Sequence, residues 1–109
     1  MKISAYCLLS GDKFNDMKLQ ELSGIEISER NGIGSFASTD FIDDKHEILD
    51  NLLNKLVNNY TNLIDSGVAE ISVTLNLQYE KQCNWEVTLE QVRKLNFLKA
   101  VLSFSAYTE

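Results

Sequence analysis

The segment Ile71-Ser-Val-Thr-Leu-Asn-Leu-Gln-Tyr79 alternates without a break. Successive side chains of a strand point to opposite faces, so Ile71, Val73, Leu75, Leu77 and Tyr79 fall on one side and Ser72, Thr74, Asn76 and Gln78 on the other. A strand of this kind belongs to a sheet with one face packed on a core and the other open. The outward set is polar but carries no charge, and that is the feature the rest of the chain has to explain.

The neighbouring segments supply partners for such a sheet. Lys2 to Leu9 alternates with Ile3, Ala5, Cys7 and Leu9 on one face, leaving Ser4, Tyr6 and Leu8 on the other. Asn15 is placed to cap a short helix bearing Met17, Leu19 and Leu22, with Phe14 and Leu19 as a hydrophobic staple and Gly24 as a left-handed terminator. Ile25 to Arg30 reads as a second strand and Ser35 to Asp40 as a third, joined through the glycines of Asn31-Gly-Ile-Gly34. Asp44-Lys-His-Glu47 has the form of a capping box. It opens one long helix whose stripe runs from Ile48 through Leu49, Leu52, Leu53, Leu56, Val57, Tyr60, Leu63 and Ile64 and stops at Gly67. Thr88-Leu-Glu-Gln91 is a second capping box before a helix carrying Leu89, Val92 and Leu95, and Leu98 to Tyr107 is a last strand.

Strand, loop, capped short helix and strand describe both Ile3 to Glu29 and Ile71 to Tyr107, so each half contains a crossover whose strands can run parallel. The expected fold is α+β in two layers: one five-stranded mixed or antiparallel sheet with three helices packed on one face, forming a single domain over residues 1–109.

The opening Ile3-Ser-Ala-Tyr-Cys-Leu-Leu-Ser-Gly-Asp12, the run Met17-Lys-Leu-Gln-Glu-Leu-Ser-Gly-Ile25 and the ending Val87-Thr-Leu-Glu-Gln-Val-Arg-Lys-Leu-Asn96 before a strand finishing at Tyr107 resemble the bacterial domain-of-unknown-function family 4279. The resemblance spans almost the whole chain and implies a fold rather than an activity. It carries no functional residue onto this sequence.

Candidate chemistry is sparse. Asp40, Asp43, Asp44, Glu47 and Asp50 cluster at the start of the long helix, where acids complement the helix dipole and can also dock a basic partner. Their spacing is not that of an EF-hand loop. His46 is the sole histidine, read as a surface residue, and without a second histidine or a positioned cysteine it makes a poor metal ligand. Cys7 is expected in the core and Cys83 in a loop, so neither forms an evident nucleophile–base pair. The Asn31 to Gly34 turn lacks the lysine and the following helix of a phosphate loop. Trp85 stands in a polar loop, to fold back over the core or to protrude as an interface anchor.

Sixteen acidic against ten basic residues give a net charge of −6, which disfavours nucleic acid and anionic membrane as partners and favours a basic protein. The apolar residues near Met1 alternate and stop at Ser10-Gly11, unlike a secretory leader, and the expected location is the cytoplasm. No cofactor or metal is expected. Taken together these readings describe a non-catalytic binding protein of the immunity-protein type, neutralising a basic toxin or nuclease by occlusion. Its contact residues are expected among the five acids, Trp85 and the neutral face of Thr74, Asn76, Gln78 and Tyr107. The alternative is a homo-oligomer, in its simplest form a homodimer, that pairs its sheet faces.

Overall fold

The computed structural model describes residues 2–30, 32–38 and 46–108. Among them five strands and four helices follow in the order β1 (Lys2–Ser10), α1 (Asp16–Ser23), β2 (Ser28–Arg30), β3 (Ile33–Ser38), α2 (Glu47–Asn58), α3 (Tyr60–Asp65), β4 (Glu70–Tyr79), α4 (Leu89–Leu98) and β5 (Val101–Thr108). The strands form one mixed sheet in the order β2-β3-β1-β4-β5. β1 is antiparallel to both β3 and β4, and β2 is antiparallel to β3. Only β4 and β5, joined through α4, pair in parallel.

The apolar sides of β1 and β4 meet the helices. Cys7, Leu9, Val73 and Leu75 are fully buried together with Leu49, Leu53, Leu56 and Leu63, in a single core cluster. The opposite side of the sheet is only half-buried at Ser4, Tyr6, Leu8, Ser72 and Asn76. The two-layer arrangement read from the alternation of β4 therefore stands.

Local chemistry explains most element ends. Asn15 accepts a hydrogen bond from the Lys18 backbone N–H at 3.0 Å, capping α1, and Gly24 closes that helix with φ 72°. At α4, Thr88 and Gln91 form the reciprocal box: the Gln91 N–H donates to Thr88 Oγ1 at 3.1 Å and the Thr88 N–H to Gln91 Oε1 at 2.9 Å. Lys99, at φ 52°, ends the helix in a left-handed turn, with the Ala100 N–H donating to the Leu95 carbonyl.

Four helices replace the expected three because the long helix breaks at Asn59. Asn59 leaves helical geometry at φ −108° and ψ 16°, its side-chain Nδ2 donates to the Lys55 carbonyl at 2.9 Å, and Asn62 Nδ2 donates to its Oδ1 at 3.1 Å. An asparagine that satisfies the backbone with its own amide competes with the helical ladder. The start of α2 also differs: its N-cap is His46, whose side chain makes no cap bond, and Asp44 lies outside the described residues.

Other boundaries and faces shift as well. Ile25 and Ile27 are buried but precede β2, which pairs only from Ser28, while β3 begins two residues earlier than the pattern implied, at Ile33. Met17 and Leu22 are exposed, leaving Leu19 as the core residue of α1, and Ile64 of α3 is also exposed. On α4 the buried residues are Gln91, Leu95 and Leu98, whereas Leu89 and Val92 face solvent. A glutamine takes an interior position there because both ends of its amide are satisfied: its oxygen by the Thr88 N–H, and its Nε2 by donation to Asp50 Oδ1 at 2.9 Å.

The loop after β1 and the turn before β4 meet backbone to backbone. The Ala69 N–H donates to the Ser10 carbonyl and the Asn15 N–H to the Ser66 carbonyl, both at 2.8 Å. Gly67 has φ 86°, and a Cβ there would strike the Lys13 carbonyl oxygen; one on Gly11 would strike the carbonyl of Gly67. Only glycine allows this approach.

Candidate functional site

The register of β1, β4 and β5 aligns the open face in rows. Lys2, Gln78 and Tyr107 form one row, and Ser4, Asn76 and Ser105 the next. Tyr6, Thr74 and Ser103 follow, then Leu8, Ser72 and Val101. Among the described residues the charges on this face stand at its margins: Lys2 at one end, Glu70, opposite Ser10, at the other, and Arg30, opposite Ile33, on the edge strand β2. The interior of the face is a lattice of hydroxyls and amides with two tyrosines. Asn76 Nδ2 donates to Ser4 Oγ at 3.4 Å across the β1–β4 pair, and Thr74 is 8% exposed at the centre. Tyr107 remains 48% exposed on the edge strand.

The face becomes apolar toward one end. Leu8, Ile33 and Val101, with Ser72, line a depression of about 480 Å³ rimmed by Glu70 and Lys99. Ile33 and Val101 were not among the expected contact residues, because the strand pattern placed Ile33 in a turn and gave Val101 no stated face. Their signal is positional: Ile33 lies two residues before Ser35, the β3 partner of Leu8, and Val101 is the β5 partner of Ser72.

The expected contact residues divide between the two layers. Thr74, Asn76, Gln78 and Tyr107 come together on the open face. Glu47, Asp50 and Trp85 lie on the helix side, and Asp40, Asp43 and Asp44 lie outside the described residues. Asp50 is engaged internally, accepting from the buried Gln91 amide and tying α2 to α4. Trp85 is half-buried and folds back on the core, with its ring centroid 5.6 Å from that of His46. His46 is thus half-buried against an aromatic ring rather than a free surface residue. His46, Asn84, Trp85 and Glu86 enclose a smaller depression of about 210 Å³. Glu47 and Asp50 therefore lie in the layer opposite the neutral face.

The remaining reactive groups are placed as packing residues. Cys7 is fully buried on the helix side, and desolvation pushes its thiol up to about 12, which leaves it without thiolate at neutral pH. Cys83 is a free, half-buried thiol packed on the core. Among the described residues no group of three or more His, Cys, Asp or Glu side chains is arranged to hold a metal ion, and no helix is long and apolar enough to cross a membrane.

Comparison of the chain with family models, with curated proteins and with solved structures finds no match.

Proposed function

We propose that the chain is a cytoplasmic, non-catalytic binding protein that occludes a basic protein partner, a toxin or nuclease, in the manner of an immunity protein. The observation that supports this reading is the charge-free interior of the open sheet face, running from Gln78 and Tyr107 to the apolar depression at Leu8 and Val101. Hydroxyls and amides are far cheaper to desolvate than charges. The cores of protein interfaces are likewise depleted in charge and enriched in tyrosine.

The net charge of −6 supplies long-range attraction for a basic partner, while the neutral face makes the contact. Division of labour between the layers follows: Glu47 contributes field from the helix layer, and Thr74, Asn76, Gln78 and Tyr107 contribute surface. Resemblance to the domain-of-unknown-function family 4279 belongs to this proposal as a statement about fold. The test is capture on the immobilised chain at low salt, with gradient elution and mass spectrometry. A basic protein bound in stoichiometric amount and released at moderate salt supports the reading, and recovery of the bait alone counts against it.

A further inference from the structure

The two edges of the sheet are protected very differently. β2, at one edge, is three residues long and carries Glu29 and Arg30. Short length and charge are the usual means of keeping a sheet edge from pairing with another chain. β5, at the other edge, is an eight-residue strand, Val-Leu-Ser-Phe-Ser-Ala-Tyr-Thr, with no charge and no proline. Its inner edge pairs with β4 along its whole length, from Val101 opposite Ser72 to Thr108 opposite Tyr79. Nothing pairs with its outer edge among the described residues.

The side chains of β5 are uncovered too. Phe104 lies opposite Leu75 and so points to the helix side, yet it remains 49% exposed because the helices do not reach over it. Val101 and Tyr107, on the open side, are 61% and 48% exposed.

From this contrast we infer that β5 pairs antiparallel with β5 of a second copy of the chain, joining two sheets into one of ten strands. A two-fold axis perpendicular to the sheet keeps each face on its own side, so residues of like parity must meet. Centring the axis on Phe104 brings Val101 to Tyr107 into the pair. The two Phe104 rings then meet on the helix side, flanked by Leu102 opposite Ala106, large against small. On the open side Ser103 meets Ser105 and Val101 meets Tyr107.

Charge selects this occupant. Two molecules of net charge −6 repel, and a self-pairing edge must bring no like charges together; β5 is a long strand that meets this condition throughout. A basic partner would find no counter-charge along it. The inference stands independently of the basic partner, since it uses the sheet edge rather than the open face.

Strand pairing with two half-exposed aromatics gives a contact smaller than a standard interface, so the dimer forms in the micromolar range. Sedimentation equilibrium of the native chain is expected to show a monomer–dimer equilibrium. Phe104→Lys, which sets like charges at the axis, weakens it at least about tenfold, and mixing Phe104→Lys with Phe104→Glu restores it. Met17→Lys, at an exposed apolar site on α1, leaves it unchanged. Where Phe104→Lys fails to fold, the double substitution Ser103→Lys, Ser105→Lys tests the same pairing from the solvent side. A native chain that stays monomeric, a Phe104→Lys or double variant that dimerises as the native chain does, or equal loss in Met17→Lys overturns the inference.

Discussion

Gln91 donates through Nε2 to Asp50 Oδ1 at 2.9 Å while its own Oε1 accepts the Thr88 N–H, so one fully buried glutamine both caps α4 and fastens it to α2. Removing Asp50 strands a buried amide, and removing Gln91 undoes the cap as well as the tie. Asp50→Ala is expected to cost about 2 kcal/mol of stability and Gln91→Ala somewhat more. The double variant should lose about 1 kcal/mol less than the sum, measured by urea unfolding. Because Asp50 is spoken for inside the fold, Asp50→Ala should leave capture of a basic partner unchanged at temperatures where it remains folded.

Gly24 and Gly67 both have positive φ, but only Gly67 is crowded. Gly24→Ala meets no atom within 4 Å and is expected to cost about 1 kcal/mol, the backbone term alone. Gly67→Ala adds a collision with the Lys13 carbonyl oxygen and should cost more than about 3 kcal/mol or prevent folding. Thermal unfolding of the two variants side by side separates conformational strain from loss of space.

Much of this fold can be read from short-range chemistry. The side-chain caps at Asn15 and at Thr88 with Gln91, and the left-handed backbone cap at Gly24, appear where the sequence places them, and the alternation of β1 and β4 assigns their two faces, because these features depend on residues within one turn or one strand. What linear pattern misses depends on packing. Gln91 reads only as a cap of α4 until packing brings Asp50 beside it, and Leu89 and Val92 look like core until α4 turns its other side to α2. Asp50 reads as one acid of a docking cluster because nothing near it in the chain reveals α4 opposite. The open face is legible as a row on β4, but its depression needs the β3–β1–β4–β5 order to bring Ile33 and Val101 to Leu8.

Cys7 gives the fold a pH dependence on the alkaline side. Burial raises its thiol from the ordinary 9.0 to about 12, so the folded chain keeps a proton that the unfolded chain gives up. The stability it contributes is whole below pH 9 and is lost as pH rises toward 12, at a limiting slope of about 1.4 kcal/mol per pH unit. Urea unfolding across alkaline pH should show a steeper decline in the native chain than in Cys7→Ala, which lacks the group. Parallel slopes would mean that the thiol is not desolvated as its position implies.

Attraction through net charge predicts kinetics that depend on salt. Once a basic partner is in hand, its association rate with the chain should fall about tenfold between low and physiological ionic strength, with a smaller change in dissociation rate. Stopped-flow measurement over a salt series checks this, and a rate indifferent to salt removes electrostatic steering from the account.

Whether the neutral sheet face is the contact surface is tested most directly by comparing capture on three immobilised forms: the native chain, Asn76→Lys and Asn54→Lys. Both substitutions change the net charge equally, but Asn76 lies in the middle of the open face and Asn54 is exposed on α2 in the other layer. The predicted result is a basic protein retained in stoichiometric amount by the native chain and by Asn54→Lys and lost from Asn76→Lys. Equal retention by all three, or equal loss from both variants, would contradict the assignment of this face.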